Sequence, residues 1–385
     1  MRTPPWVVRR PLFVAVIMMV AVVSGPAAAI AAVLGVPWAI AGRLGGPPVR
    51  WRPLRIAAMA VVYSWLETVA LVACFGLWLT RPALGRPRYL AAHVALLRWT
   101  LDVLRRAVER ITGFVLLLEE PPEPFGLATP GPVIVVSRHG GIGDSFLLAQ
   151  LLLSRWGRTP RVVLKDALRL DPAVDVMLGR IGACFVPAGR DAGADVTDRV
   201  RAFAASLGPG DALLIFPEGG NYTPRRRIRA IENLRRRGHR AFAALAEQMP
   251  HVLPPRPDGV LAALEAIPAA PVSIVAHTGF DDLVSARAVW DALPLSGRPL
   301  RLRWWTVSPS HVPAGDEARL RWLLVHWAIV DQWIDYRRAA PSNPRPADPL
   351  VPDPPSADGP APEEVNRPGA DRTTEPADPP STGSG

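Results

Sequence analysis

Residues 133–145 read VIVVSRHGGIGDS. An uninterrupted apolar run, too short for a helix and closed by a glycine-rich turn, describes a strand buried on both faces, as in a parallel sheet. The strand ends at Ser137, so Arg138 and His139 fall at its carboxyl edge, where α/β sheets commonly bind ligands. Gly140, Gly141 and Gly143 permit tight turns and close approach of backbone to a ligand. Asp144 then opens the next helix, and its carboxylate can fold back toward the imidazole. A carboxylate so placed holds one ring N–H and leaves the other nitrogen to take a proton from an attacking hydroxyl.

Three readings of these residues compete: a His139–Asp144 catalytic pair, a nucleophile at Ser145, or Asp144 as a plain helix cap beside an incidental loop histidine. The sequence argues against the serine. GDS followed by FLL resembles the nucleophile block of a family of serine esterases and lipases, whose base comes from a later Asp-x-x-His. None of the seven histidines has an aspartate three residues before it, and no Gly-x-Ser-x-Gly elbow occurs. The pair and the cap both remain open at this point.

Working outward, strand-like and helix-like segments alternate. RVVLK (161–165), CFVPAGR (184–190), ALLIF (212–216), VSIVAH (272–277) and LRLRWWTV (300–307) read as strands. Residues 146–156, 196–207, roughly 226–248 and 316–338 read as helices, the third strongly basic and the last rich in tryptophan. This alternation predicts an α/β fold, a mixed and mostly parallel sheet flanked by helices.

The front of the chain is different. Residues 11–40 carry no charge and residues 56–79 carry only Glu67. Each exceeds the ~20 apolar residues that a helix needs to cross ~30 Å of hydrocarbon. A signal peptide is the alternative for the first segment, since Arg9 and Arg10 precede it and PAAA resembles a cleavage site. The second segment favours a retained N-terminal hydrophobic helical membrane anchor. Gly25-Pro26 interrupts the first segment and suggests a kink or a re-entrant hairpin. Arginines lie before, between and after the segments, so the positive-inside rule sets no orientation. Four regions follow: 1–112, an anchoring region with two hydrophobic segments and an amphipathic helix over 88–112; 113–132, a proline-rich linker; 133–338, a catalytic domain; and 339–385, an acidic proline-rich tail expected to be disordered.

The formal net charge is +10, and Lys165 is the only lysine among 44 basic residues. From Pro341 onward eight acidic residues face three arginines, so the tail carries −5 and the preceding 340 residues carry +15. A basic body attracts polyanions such as anionic lipid headgroups, nucleic acid or phosphate-bearing small molecules. Two cysteines, Cys74 and Cys184, build neither a disulfide framework nor a zinc site.

Further motifs carry a family resemblance. HGGIGD (139–144) fits an H-x-x-x-x-D pattern, and FPEGG (216–220) resembles the F-P-E-G-T/S motif of the glycerolipid acyltransferases, the lysophosphatidate and glycerol-phosphate acyltransferase family. LKDALRLDP (164–172) is similar to the family's Lys-x-x-Leu-x-x-x-Pro segment. GACFVPAGRD (182–191) is similar to its second motif through Phe185 and Arg190. HVLPPRPDGVLAAL (251–264) resembles the fourth motif of the lysocardiolipin-type branch through Pro255, Arg256 and Gly259. The resemblance covers about residues 130–338. Two departures stand out: Gly220 and Asn221 replace the family's Thr/Ser and frequent Arg, and the Phe185–Arg190 spacing is stretched. Arg225 or Arg227 is a possible substitute for the missing arginine.

The resemblance implies a membrane-bound O-acyltransferase that moves a fatty acyl group from acyl-CoA, or from acyl-ACP (acyl carrier protein), to a lysophospholipid hydroxyl. 1-Acyl-glycerol-3-phosphate, giving phosphatidate, is the first acceptor expected; another lysophospholipid or a phosphoinositide-type glycolipid is the alternative. It assigns His139 as general base and Asp144 as its orienting carboxylate. It places Arg190, Glu218, Gly219 and Arg256 in the substrate site, and backbone N–H groups of Gly140–Gly143 at the developing oxyanion. No metal, cofactor or nucleic acid is called for. Acceptor and product are membrane lipids, so the catalytic domain is expected at the cell membrane, facing the cytoplasm. The rival classes are a serine lipid hydrolase using Ser145 and a non-catalytic lipid-binding protein.

Overall fold

The structure is a computed structural model that describes residues 4–43, 51–119, 130–141, 143–186, 193–281 and 283–339. The tail beyond Ala339, most of the proline-rich linker, and Arg190 lie outside the described residues.

Strands β1 (Leu116–Glu119), β2 (Val133–Ser137), β3 (Thr159–Lys165), β4 (Cys184–Val186), β5 (Asp211–Ile215), β6 (Val272–Thr278) and β7 (Leu300–Val307) form one sheet in the order β1-β7-β6-β2-β5-β3-β4. Every neighbouring pair is parallel except β6 and β7. The expected mixed, mostly parallel sheet is therefore present. Every residue of β2 and of β6 is buried, which is why their sequences are nearly continuous apolar runs. β3 alternates between buried and half-buried positions, as a strand near the sheet edge should.

Helix α4 (Asp144–Ser154) is buried from Leu147 to Leu153. On helix α11 (Asp316–Ala339), Leu323, Trp327, Val330 and Ile334 recur every three or four residues and are fully buried, the spacing of one helical face. The Trp327 indole N–H donates to Leu253 O at 3.1 Å and the Trp333 indole to Glu119 Oε2 at 3.2 Å. Glu119 belongs to β1, which corrects the expectation of a linker from residue 113. Four residues are too few to show an alternation, yet β1 pairs with β7 from Leu116↔Leu300 to Glu119↔Arg303. The basic stretch expected as one helix is two, α7 (Pro224–Arg236) and α8 (Arg240–Glu247), broken at Gly238, whose φ is +83°. The remaining helices are α5 (Pro172–Ile181), α6 (Gly193–Ala205), α9 (Asp258–Ala266) and α10 (Ala286–Ala292).

The front of the chain forms α1 (Trp6–Arg43), α2 (Arg52–Leu79) and α3 (Arg81–Thr112). Two stretches, Trp6–Leu34 and Arg52–Leu79, are long and apolar enough to cross a membrane. α1 continues through Gly25-Pro26 and two further prolines, Pro11 and Pro37, so no re-entrant reversal occurs there. α2 is pinned to the sheet domain along its length. Arg52 donates to Asp291 O (2.8 Å) and Leu293 O (3.1 Å), Tyr63 hydrogen-bonds Asp171, Glu67 accepts from Ala173 N (3.2 Å), and Arg180 donates to Cys74 O (2.7 Å). From residue 52 to residue 74 a helix rises about 33 Å at ~1.5 Å per residue, so α2 lies along the domain instead of projecting from it. α1 is clipped to the same helix, α5, by Arg9 and Arg10, which bond the two carboxylate oxygens of Asp175 at 2.8 and 2.6 Å.

Candidate active site

The adjacent parallel strands β2 and β5 are in register at Val136↔Ile215. Their carboxyl ends therefore deliver SRHGG and FPEGG to one edge of the sheet. The Tyr222 amide donates to His139 O at 2.8 Å and ties the two turns together. The imidazole of His139 lies against the Phe216 ring, centroids 4.6 Å apart.

His139 Nδ1 lies 2.9 Å from Asp144 Oδ2. Asp144 also accepts from the amides of Ser145 (2.7 Å, Oδ1) and Gly141 (3.3 Å, Oδ2). Burial pushes the pKa of Asp144 up, but the hydrogen bond from His139, the nearby His277 and the Gly141 amide outweigh it and leave it below the ordinary carboxylate value. An ionised carboxylate only accepts, so Nδ1 carries the proton and the Nε2 lone pair is free. The His139 side chain is 20% exposed while that of Asp144 is 2% exposed, so the free nitrogen belongs to the accessible partner. Asp144 thus both braces the imidazole and binds backbone amides at the start of α4. Ser145 is placed otherwise: its Oγ meets Asp144 Oδ1 at 3.3 Å, and among the described residues no histidine hydrogen-bonds it.

The glycines are required by space as well as by torsion. A Cβ on Gly141 would lie 2.4 Å from Phe280 O, and Gly143 has φ +94°. The Gly141 amide is committed to Asp144, so it faces inward and is not open to an oxyanion, a correction to the expected donor set. Ile142 lies outside the described residues.

Glu218 follows β5 and is fully buried, with neither carboxyl oxygen hydrogen-bonded among the described residues. Burial raises its pKa to about 8, against the opposing pull of Arg138 and of the Leu253 and His139 amides, which approach without closing a hydrogen bond. Its carboxyl lies beneath the turn and does not open toward solvent. A carboxyl held protonated in the folded state keeps a proton that the unfolded chain releases, so its contribution to stability falls as pH rises from about 4.5 to about 8. Glu218→Gln should abolish that slope. Thermal melts of both proteins at about pH 5 and about pH 8 are expected to diverge at the higher pH in favour of the glutamine variant. Parallel curves would contradict the assignment.

Beside Glu218 the chain collects cations. Gly219 has φ +67°, and a Cβ there would lie 3.4 Å from the Arg256 guanidinium. A Cβ on Gly220 would lie 3.1 Å from Arg226 Nη1 and 3.3 Å from Lys165 Nζ. The Arg256 amide donates to Pro217 O at 2.8 Å, which fixes this arginine to the turn. Burial, then the charges of Arg226 and Arg256, lower the pKa of Lys165. No carboxylate forms an ion pair with these three among the described residues, so their positive charge is left unneutralised at this edge of the sheet. Gly220, where the related motif carries Thr or Ser, is the position over which two of them converge. Of this run of arginines it is Arg226, and not Arg225 or Arg227, whose guanidinium stands beside Gly220. Arg227 instead caps the end of α8, donating to Ala246 O, Glu247 O and Met249 O at 3.0, 2.7 and 2.9 Å, and Arg225 is exposed.

A cavity of about 700 Å³ lies at the opposite, amino edge of the sheet, between α3 residues such as Val94 and Trp99 and Thr159, Arg161 and Asp211. It contains none of the residues above.

A strand-end histidine–aspartate pair and a cluster of cations without ion-pair partners among the described residues thus share one edge of the sheet. Residues 123–275, which hold both features, match the family model described as Acyltransferase. Among solved structures the chain is similar to the 1-acyl-sn-glycerophosphate (LPA) acyltransferase PlsC from Thermotoga maritima, with 15% identity and a TM-score of 0.48 over 74% of this chain and 98% of that one. No curated protein sequence matches the chain.

Proposed function

We propose that the protein is an O-acyltransferase that moves a fatty acyl group from a thioester to a lysophospholipid hydroxyl. The observation that carries this reading is the braced His139, with Nε2 free, at the same sheet edge as Lys165, Arg226 and Arg256. His139 Nε2 takes the proton of the acceptor hydroxyl as its oxygen attacks the thioester carbonyl carbon. The C–S bond breaks, and the imidazolium returns the proton to the departing thiolate. Asp144 stabilises the transient imidazolium. The acceptor's phosphate lies on the three cations, for which 1-acyl-glycerol-3-phosphate is the simplest fit; another lysophospholipid or a phosphoinositide-type glycolipid is the second reading. Acyl-CoA is the proposed donor, with acyl carrier protein the alternative. Arg190 remains a candidate phosphate contact, and Glu218 and Gly219 shape the turn that carries the site.

The outer faces of α1 and α2 favour attachment to a bilayer. Val22, Val33 and Val72 are 72%, 69% and 66% exposed, and lipid is the solvent that would cover them. Both substrate and product then stay in the membrane, and a soluble acyl-CoA donor places the catalytic edge in the cytoplasm.

The purified full chain, given labelled acyl-CoA and a panel of lysolipids, is expected to form labelled diacyl product. Release of free fatty acid without an acceptor would instead support a hydrolase, and no turnover would support a lipid-binding protein. Lys165→Ala, Arg226→Gln and Arg256→Gln should each lower kcat/KM for a phosphate-bearing acceptor by roughly 10–100-fold, at about 1.5–3 kcal/mol per charged hydrogen bond. The KM for the donor should hold. A uniform loss on acceptors with and without phosphate would remove the anion-site assignment.

A further inference from the structure

His277 lies two residues past the segment that matches the family model and takes no part in the steps above, yet it contacts the Arg138 carbonyl and approaches the Asp144 carboxylate. On β6, the strand parallel to β2, it falls just beyond the pairing Ser137↔Val275, and it is 1% exposed. Its Nε2 is 2.9 Å from Arg138 O. A carbonyl only accepts, so Nε2 carries the proton. Arg138 returns the contact, its Nη1 donating to His277 O at 2.8 Å. Each side chain thus holds the other's main chain, and the peptide so clamped is the one that leads into His139. The same Nε2 is 3.7 Å from Asp144 Oδ2, the oxygen that receives His139 Nδ1. The arrangement leaves little slack: a Cβ on Gly140 would lie 2.8 Å from Arg138 Nη1 and 3.0 Å from His277 Cε1.

The charged groups facing His277 are Arg138 after β2, Asp144 on α4 and Asp281 after β6. Burial is the largest influence on the ring and keeps it neutral, with its pKa below the ordinary histidine value. Nδ1 has no hydrogen-bond partner among the described residues, so the ring works through its one N–H.

We infer that His277 is a positioning residue for acyl transfer, its Nε2–H fixing the peptide that carries His139 and directing the Asp144 carboxylate toward the His139 imidazole. The inference rests on the acyl-transfer reading of the site. The positive end of that N–H also steadies the Asp144 anion. Without it the carboxylate holds a protonated His139 more tightly, so the pair retains its proton to higher pH.

The test compares His277→Leu, which loses the donor, with His277→Gln, whose amide nitrogen reaches about as far as Nε2. The full-length protein is assayed with labelled acyl-CoA and the best acceptor of the lysolipid panel, across pH. His277→Leu should lower kcat by roughly 10–100-fold, the scale set by a misplaced catalytic group. Its KM values should stay near those of the wild type, and its acid limb should move to higher pH. His277→Gln should recover most of the rate and return the limb. His277→Asn, polar but too short to reach Arg138 O, should resemble the leucine variant and supplies the comparison if leucine prevents folding. An unchanged kcat in a folded Leu or Asn variant, or equal impairment of Gln and Leu, overturns the inference while wild-type turnover sustains the acyl-transfer reading. Absence of transfer by the wild-type chain overturns both.

Discussion

His139→Ala is expected to lower acyl transfer by roughly a hundred- to ten-thousandfold, the contribution of a well-placed general base, while leaving the protein folded and attached to membranes. The side chain is partly exposed, and its only side-chain hydrogen bond among the described residues is to Asp144. Truncation therefore exposes a carboxylate to water and gives up one packing contact, with the half-buried Phe216 ring. Asp144→Asn tests the same pair from the other side. An asparagine oxygen can still accept from Nδ1, but it brings no charge to stabilise the imidazolium, and its amide favours the tautomer with the wrong nitrogen bare. A loss of similar order is expected in kcat, with the KM of the acceptor changed little. Substantial turnover by a folded His139→Ala protein would remove the general-base assignment.

Asp281→Ala should produce the largest loss of stability. Arg138 is fully buried and pairs with Asp281, which is itself 8% exposed and also accepts from Thr278 Oγ1 (2.7 Å) and the Gly279 amide (2.9 Å). Burial pushes the carboxyl up, but Arg138 and these two donors hold its pKa down at about 2. Removing one partner leaves a guanidinium unpaired in the interior, at a cost of about 3–5 kcal/mol. The depressed pKa fixes the pH window: the contribution is complete above about 4, the ordinary carboxyl value, and is lost as pH falls through about 2. Thermal melts in detergent should show a wide gap between wild type and variant at neutral pH and a narrow one near pH 2. An equal gap at both would mean that the lost interaction is not ionic. Arg138 also donates to His251 O at 2.7 Å, so the variant is expected to disturb the catalytic edge as well.

The parts of this architecture legible in the sequence were those written as local pattern. VIVVS with its glycine-rich turn read as a buried strand, and the Trp-rich run over 316–338 read as the helix that is α11. The pairing of His139 with Asp144 was one of two open readings, because spacing alone cannot say whether a carboxylate turns toward a ring or toward an amide. Here it does both. What escaped depends on partners distant in sequence. β1 is recognisable only through β7, some 180 residues later. The placement of Arg226, and not Arg225 or Arg227, beside Gly220 is set by the phase of α7, where one step of about 100° separates that position from the cap of α8. A lone lysine at the end of a strand was the available signal for Lys165. Glu218 shows nothing in its motif to indicate that its carboxyl is enclosed, and His277 gains its meaning only from the strand beside it.

The central claim is direct transfer, with the acceptor hydroxyl activated by His139 and no acyl-enzyme formed. Rapid-mixing measurement of free thiol released from acyl-CoA tests it most directly. The account predicts no thiol burst without acceptor, and one thiol per acylated lipid once acceptor is added. A stoichiometric burst in the absence of acceptor would show a covalent acyl-enzyme, point to a nucleophile such as Ser145, and contradict it.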